Sequence, residues 1–166
     1  MSDANSEAIV KALVDHGVDF VVIGASAAIL QGVPIAATLD LDVTAGTSTP
    51  NLKRLAAALK EMDARLRVPY PEESVAVELD ARMLAGLSVA TLMTRHGPFD
   101  LLFAPAGSSS YADLKSRAVE VAPFRLPFRV ASIEDLISMK RAAGREKDAA
   151  HLTILLDHLR SESHGS

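Results

Sequence analysis

A seven-residue stretch of strict alternation constrains the fold of this chain more than any other feature. Residues 38–44 read Thr-Leu-Asp-Leu-Asp-Val-Thr, with polar and apolar side chains in turn. This period of two is typical of a β-strand that packs one face against a hydrophobic core. It predicts a strand whose leucines and valine point inward. The carboxylates of Asp40 and Asp42 then share the other face, about 6.6 Å apart along the strand.

The segments on either side predict a mixed α/β (α+β) fold, in which a small mixed sheet is flanked by helices and closed by a C-terminal helical pair. Besides Thr38–Thr44, extended segments are predicted at Val18–Ile23, Leu66–Val68, Val89–Met93, Phe99–Phe103 and Glu120–Val130. Helices are predicted from a cap at Asn5 or Ser6 to Gly17, from a cap at Ser26 to Gln31, over Asn51–Met62 and Ala112–Arg117, from a cap at Ser132 to Ala143, and over Glu146–Leu159. The acidic stretch around Tyr70–Glu73 is predicted to be a loop.

The length and composition fit one domain. The chain has 166 residues, of which 49% are hydrophobic, so it can build a packed core. We expect a single domain over residues 1–160, in which the C-terminal helices (132–160) are the one candidate subdivision, near residue 130. Residues 161–166 are expected to be a disordered tail.

Composition also excludes several classes of site and partner. The chain has no cysteine, which excludes disulfides, thiolate metal sites and cysteine nucleophiles. Its longest apolar run, Phe20–Leu30, falls short of the ~20 residues that span a bilayer, and no basic segment of a secretory signal is visible. We therefore expect a cytoplasmic protein with no membrane association. The net charge of −4 argues against non-specific coating of nucleic acid, although residues 115–147 carry +4 and leave −8 for the rest.

The acid pair of the alternating strand admits two interpretations. Asp40 and Asp42 repel each other, since the strand has no lysine or arginine between them. A divalent cation relieves such repulsion, and oxygen ligands favour Mg²⁺ or Mn²⁺. The alternative is a strand with a solvated outer face.

Gly24-Ala25-Ser26 lies where the predicted buried strand of Val18–Ile23 gives way to a short helix. Backbone N–H groups exposed at such a turn favour a phosphate. The Ser26 hydroxyl either adds to that phosphate contact or caps the helix. A phosphate-binding turn followed by a carboxylate pair is what a nucleoside triphosphate site requires.

Three segments together, Gly24-Ala25-Ser26, Thr38-Leu39-Asp40-Leu41-Asp42 and Gly97-Pro98-Phe99-Asp100-Leu101, resemble the catalytic motifs of the DNA polymerase β-type nucleotidyltransferase superfamily. Within it, the chain is similar to the AbiEii/MenT-type toxin nucleotidyltransferases. The resemblance implies that Asp100 joins Asp40 and Asp42 in one Mg²⁺ (or Mn²⁺) site and orients or deprotonates an attacking hydroxyl. The alternative for Asp100 is an ordinary aspartate beside a Gly-Pro turn.

The basic run that begins at Lys140 also has two interpretations. Arg141 and Arg145 crowd at helical i,i+4 spacing, which is unfavourable unless an anion lies between them. Lys140 is similar to the lysine that AbiEii/MenT-type enzymes use toward the triphosphate, and Asp148 is similar to an acidic residue that follows it. The competing interpretation is a solvated corner between two helices.

The resemblance implies a metal-dependent enzyme that moves a nucleoside monophosphate from a nucleoside triphosphate to a hydroxyl, with the tRNA 3′ end as acceptor. It further implies the toxin of a pair, neutralised by an antitoxin protein. The alternatives are a small-molecule nucleotidyltransferase of the antibiotic-modifying type and a non-catalytic nucleotide- or protein-binding member. The expected catalytic residues are Asp40, Asp42, Asp100 and Lys140, and the expected nucleotide-binding residues are Gly24, Ser26, Thr38, Lys140, Arg145 and Asp148.

Overall fold

The computed structural model describes residues 5–36, 40–69 and 72–164, and within these ranges the chain forms eight strands and seven helices. The strands are β1 (Phe20–Ile23), β2 (Leu41–Ala45), β3 (Arg65–Pro69), β4 (Glu72–Val75), β5 (Val89–Thr94), β6 (Gly97–Leu102), β7 (Val119–Val121) and β8 (Phe128–Val130). The helices are α1 (Ser6–Asp15), α2 (Gly24–Ile29), α3 (Thr49–Glu61), α4 (Ala81–Ala85), α5 (Tyr111–Arg117), α6 (Ile133–Ala143) and α7 (Glu146–His164).

All eight strands belong to one mixed sheet, in the order β4-β3-β5-β6-β2-β1-β8-β7. Two neighbouring pairs are parallel, β2 with β6 and β1 with β8, and the others are antiparallel. The C-terminal helices α6 and α7 pack on each other, and α6 also contacts α2 beside the central strands. The mixed sheet with flanking helices and a C-terminal helical pair is confirmed.

The alternation that predicted the central strand has the expected effect on burial. Leu41 and Val43 are buried in the core, whereas Asp42 between them stays partly accessible. Leu41, Val43 and Ala45 of this face are all buried, so the face packs into the core, while β1 and β6 pair with the two edges of β2. One of its faces therefore stabilises the sheet, and the other is left to carry polar groups.

Two predicted helix caps are confirmed and one is wrong. The side chains of Asn5 and Ser132 accept hydrogen bonds from the first turns of α1 and α6. Ser26 caps nothing, because α2 begins two residues earlier, at Gly24, and has no side-chain cap. Gly24 has a left-handed φ of 72°, which turns the chain straight from β1 into α2.

Other boundaries also differ from the sequence-based predictions. Strand β2 begins at Leu41, while Thr38 and Leu39 lie outside the described residues. Of the stretch Tyr70–Glu73 that was predicted to be a loop, residues 70 and 71 lie outside the described residues. Glu72 and Glu73 instead belong to β4, because the backbone there forms an antiparallel ladder with β3.

The C-terminal residues differ as well. Helix α7 continues to His164, so residues 161–164 are helical rather than a disordered tail. The last turns contain a 3.1 Å contact between His158 and Glu162 and a hydrogen bond from Ser163 Oγ to the carbonyl of Arg160. Among the helices of the described ranges, none combines the length and apolarity needed to cross a membrane.

Candidate active site

Three carboxylates, Asp40, Asp42 and Asp100, come together on the central strands, and we call them the acidic cluster. Asp42 on β2 and Asp100 on β6 are direct register partners on parallel neighbours. Their side chains therefore leave the same face of the sheet side by side, close enough for each carboxyl group to change the pKa of the other. Asp40 lies just before β2 and is close enough for its charge to act on both. The structure thus brings together the three acids that the sequence motifs singled out.

Two carboxyl groups of the acidic cluster, those of Asp42 and Asp100, lie in surroundings that disfavour their ionised form. Burial, together with the charges of Asp100 and Asp40, raises the pKa of Asp42 to about 7, while the charge of Lys140 acts in the opposite direction. Burial and the charge of Asp40 also raise the pKa of Asp100. Asp100 Oδ1 is buried without a hydrogen-bond partner. A cluster with raised pKa values and an unsatisfied oxygen is one that a cation stabilises.

Gly24 fits against this cluster so closely that it has no room for a side chain. A Cβ placed on Gly24 would lie 2.7 Å from Asp42 Oδ2, well inside van der Waals contact. The missing Cβ and the left-handed backbone together let the β1–α2 turn approach the carboxylate. The sequence singled out this glycine for its turn, and the structure adds its contact with Asp42.

We expect Gly24→Ala to destabilise the protein more than an ordinary change at a left-handed glycine. Gly32 is the matched control, because its φ is also positive (84°) but no atom lies within 4 Å of its Cβ position. Gly32→Ala should cost about 1 kcal/mol of unfolding free energy from backbone strain alone. Gly24→Ala should cost roughly 2–3 kcal/mol, since the Asp42 carboxylate must also move.

Denaturant unfolding of the two single variants measures this difference. Adding Asp42→Ala to Gly24→Ala removes the oxygen in question and should recover the excess cost. Equal losses for Gly24→Ala and Gly32→Ala would show that the contact with Asp42 is unimportant.

Arg67 is the residue of this site that the sequence reasoning missed. Its Nη2 lies 3.8 Å from Asp40 Oδ2 and 3.9 Å from Asp100 Oδ1, and its side chain is 22% exposed. The alternating strand has no lysine or arginine between Asp40 and Asp42, but in the folded protein the strand β3 brings this arginine beside Asp40 and Asp100. The alternation of Arg65, Leu66 and Arg67 predicts that both arginines share a face of β3. The sequence does not reveal that β3 lies two strands from β6.

Lys140, Arg145 and Asp148 form a second charged group, which we call the C-terminal triad. Lys140 Nζ donates to Asp148 Oδ1 at 2.8 Å, and Arg145 Nε donates to Asp148 Oδ2 at 2.7 Å. The Asp148 side chain is only 4% exposed. Burial alone would raise its pKa, but the hydrogen bonds from Lys140 and Arg145 outweigh burial and lower the pKa to about 2. The expected crowding of Arg141 and Arg145 is wrong, because α6 ends at Ala143 and Arg145 does not continue it; the anion beside Arg145 is Asp148 of the chain itself.

A cavity of about 280 Å³ connects the acidic cluster with the C-terminal triad. It is lined by Gly24, Asp42, Lys140 and Arg145 together with apolar side chains such as Leu102 and Met139. The charge of Lys140 reaches Asp42 across this space and lowers its pKa. Negative and positive groups thus face one cavity with mainly apolar walls, as in a site for a charged organic ligand.

Among the described residues, two of the expected nucleotide-binding residues, Ser26 and Asp148, do not line this cavity. Ser26 lines a different cavity, of about 230 Å³, beside Phe124 and Phe128. Thr38 lies outside the described residues. Of the motif Gly24-Ala25-Ser26, only Gly24 and Ala25 line the cavity that Asp42 also lines.

The donor set of the acidic cluster suits a hard divalent cation, although it is not a complete cage. In the part of the chain that the structure describes, no three His, Asp or Glu side chains are arranged to hold a metal by themselves. Mg²⁺ does not need such a cage, because it is commonly held by one or two carboxylates, waters and substrate phosphates. The adjacent Asp42 and Asp100, with the buried unpartnered Oδ1 of Asp100, meet that requirement.

Comparison with solved structures shows the fold. A protein from Thermotoga maritima with the provisional name of nucleotidyltransferase superposes with a TM-score of 0.56 at 17% identity, over 92% of this chain and 91% of its own. An antigenic nucleotidyltransferase-like protein from Paracoccidioides brasiliensis gives a TM-score of 0.49 at 15% identity, over 94% of this chain and 77% of its own. No protein-family profile and no curated protein sequence matches the chain. The architecture is therefore nucleotidyltransferase-like, by its similarity to the first of these structures.

Proposed function

We propose that this chain is a metal-dependent nucleotidyltransferase, which transfers a nucleoside monophosphate from a nucleoside triphosphate to a hydroxyl acceptor. One observation carries the proposal: Asp42 and Asp100 lie side by side on parallel strands, against the Gly24 turn, in a cavity that Lys140 also lines. Acids for a cation and a lysine for an anion are the two halves of a triphosphate site. The nucleotidyltransferase-like fold supports the same function.

Asp42 and Asp100 would be the principal ligands of Mg²⁺ or Mn²⁺, with Asp40 as the third acid. The bound ion would neutralise charge on the triphosphate and polarise it toward attack. The raised pKa of Asp42 and the unpartnered Oδ1 of Asp100 support these two residues as ligands, because both indicate carboxylate oxygens that a bound cation would stabilise.

The remaining roles follow from the positions of the side chains. Asp100 has a raised pKa, so its carboxylate can accept a hydrogen bond, or a proton, from the acceptor hydroxyl. Lys140 lines the cavity, and its hydrogen bond to Asp148 orients its side chain. It would contact the departing phosphates. Asp148 is buried beneath Lys140 and Arg145, so it would position these cations rather than touch the nucleotide.

For the acceptor we propose the tRNA 3′ end, in a toxin that an antitoxin protein neutralises. The resemblance of the sequence motifs supports this choice, as does the basic segment at residues 115–147. A short stretch of phosphate backbone could be held by such local basicity while the acidic remainder repels bulk nucleic acid.

A small-molecule acceptor is the second candidate, because much of the basic segment is already neutralised. Lys115 pairs with Asp19 at 3.0 Å, and Arg117 pairs with Asp135 at 2.9 Å. Lys140 and Arg145 pair with Asp148. Four of the eight cations are thus engaged within the protein, which leaves less charge for a polyanion than the sequence suggested.

Incubation with each nucleoside triphosphate, labelled at the α-phosphate, and total tRNA tests the proposal in Mg²⁺ and in EDTA. We expect Mg²⁺-dependent label in tRNA and release of pyrophosphate. Asp100→Asn should lower the rate at least ~100-fold, as expected for loss of a general base and metal ligand. Asp157→Asn is the matched control, because Asp157 is exposed on α7.

The outcomes separate the candidate functions. Label on a small hydroxyl compound but not on tRNA would favour the antibiotic-modifying type of enzyme. Nucleotide binding without turnover in any acceptor mixture would contradict the enzyme and favour a binding module. Growth arrest that a neighbouring gene product suppresses would favour the toxin.

A further inference from the structure

The side chain of Arg67 brings a positive charge beside the acidic cluster without forming a strong hydrogen bond to it. Its guanidinium is within ion-pair distance of Asp40 and Asp100, at 3.8 and 3.9 Å. Both distances exceed the range of a good hydrogen bond, and Asp100 Oδ1 has no hydrogen-bond partner. The pairing is therefore mainly electrostatic, and it reaches two of the three carboxylates of the acidic cluster.

The sheet places this cation by its strand order. The ladder between β3 and β5 ends at the pair of Leu66 and Leu92, and Arg67 is the next residue of β3. On the neighbouring strands, Thr91 pairs with Asp100, and Asp100 pairs with Asp42. Arg67 therefore lies near the end of a cross-strand row that contains two acids of the acidic cluster, and its distances to Asp40 and Asp100 show that its side chain reaches them.

A guanidinium differs from the other cation near the cluster in two ways. It is more weakly hydrated than an ammonium group, and its contacts with the cluster are longer than hydrogen bonds. Lys140, by contrast, is held by a 2.8 Å hydrogen bond to Asp148. Arg67 has no such competing anchor among the ion pairs of the described residues, where both of its partners belong to the acidic cluster.

We propose that Arg67 is the resident counter-cation of the acidic cluster: it offsets the charge of Asp40 and Asp100 when no divalent ion is bound, and it thereby weakens the binding of that ion. The inference rests on the metal site of the proposed function. The inference adds Arg67, which lies outside the three sequence motifs, to this site. The charge of Arg67 would set the metal concentration at which the site is occupied. A fixed positive charge a few ångströms from the cluster can lower divalent affinity by about tenfold.

The test measures binding of Mn²⁺ alone to the full-length protein, with free Mn²⁺ followed by electron paramagnetic resonance. Arg67→Gln should bind Mn²⁺ about tenfold more tightly than the unmodified protein, whereas Arg67→Lys should stay within about threefold of it. Arg65→Gln is the matched control: it removes the same charge from the same strand, at a side chain that is 46% exposed and pairs with Asp63. It should change Mn²⁺ affinity less than about twofold.

A second readout is thermal unfolding in EDTA and in Mn²⁺. Without metal, Arg67→Gln should melt at a lower temperature than Arg65→Gln. Mn²⁺ should then raise the melting temperature of Arg67→Gln more than that of Arg65→Gln. If Arg67→Gln is unfolded in EDTA, folding on addition of Mn²⁺, or on addition of Asp40→Asn to the variant, would support the proposal. Failure of both to restore folding would overturn it.

The two proposals fail in different ways. Unchanged or weaker Mn²⁺ affinity in Arg67→Gln overturns the counter-cation. If Mn²⁺ still binds the unmodified protein and Asp42→Asn abolishes that binding, the metal site of the proposed function stands. If no form of the protein binds Mn²⁺, Arg67→Gln included, both the counter-cation and the metal site are wrong.

Discussion

Asp42→Asn should abolish nucleotidyl transfer and at the same time make the metal-free protein more stable. Loss of this proposed metal ligand is expected to lower the proposed transfer rate ~1000-fold or more, which corresponds to about 4 kcal/mol of transition-state stabilisation. Stability should change in the opposite direction, because Asp42 is a buried acid beside two others. An asparagine keeps the shape and hydrogen-bonding capacity but carries no charge.

The sign of the stability change follows from proton binding. The pKa of Asp42 is about 7 in the folded protein against an ordinary 3.8. Between these two pH values the folded state binds a proton that the unfolded state has lost, so the free energy of unfolding falls as the pH rises. Above pH 7 the full penalty is present, up to about 4 kcal/mol. Asp42→Asn should remove that fall.

Denaturant unfolding in EDTA at pH 4.5, 6 and 8 measures the effect. The unmodified protein and the control Asp157→Asn should lose stability across this range relative to Asp42→Asn. Adding Mg²⁺ at pH 8 should stabilise the unmodified protein and leave Asp42→Asn unchanged. Parallel pH profiles for Asp42→Asn and the unmodified protein would contradict the electrostatic account of this site.

The half of the site on β2 could be predicted from sequence because its determinants are local. Alternation alone places Leu41 and Val43 in the core and leaves Asp42 partly accessible, and the structure confirms this. The partner on β6 could not be found in that way. Asp100 meets Asp42 only because two strands distant in sequence are parallel neighbours, a long-range pairing that no local pattern contains. The resemblance to known motifs, rather than periodicity, indicated it.

Charge compensation was the part least accessible to sequence reasoning. The repulsion between the acids was evident, but the compensating Arg67 comes from a strand whose position depends on the whole sheet order. In the same way, Arg141 and Arg145 were expected to crowd on one helix and to need an anion, but α6 ends at Ala143. Gly144 ends it in a left-handed turn with a φ of 59°, and Asp148 after this turn pairs with Lys140 and Arg145. In both cases the charges of one helix or strand were considered separately, whereas in the folded protein the compensating charge comes from another element.

The second large effect is expected at this triad, where Asp148→Ala should destabilise the fold. The variant leaves Lys140, only 17% exposed, without its hydrogen-bonded anion. Removing one partner of a buried ion pair typically costs about 3 kcal/mol of unfolding free energy or more. Glu146→Ala is the matched control, because Glu146 is an exposed acid in the same first turn of α7. It should cost less than about 1 kcal/mol.

The pH dependence gives an independent check on the same residue. The pKa of Asp148 is lowered to about 2 from an ordinary 3.8. Its ionised form therefore contributes roughly 2 kcal/mol of stability above pH 4, and this contribution is lost as the pH falls from about 4 to 2. In acid unfolding, Asp148→Ala should lack this loss, whereas Glu146→Ala should retain it.

A paired substitution separates the structural role of the triad from its proposed catalytic role. Lys140→Met with Asp148→Leu replaces the buried charges by apolar groups of similar size, and such replacements are often neutral for stability or better. The double variant should therefore unfold with a free energy close to that of the unmodified protein. It should nevertheless lose at least ~100-fold in nucleotidyl transfer, since Lys140 can no longer contact the departing phosphates. Recovery of activity together with stability would show that Lys140 serves only the packing of α6 against α7, and that the phosphates are held elsewhere.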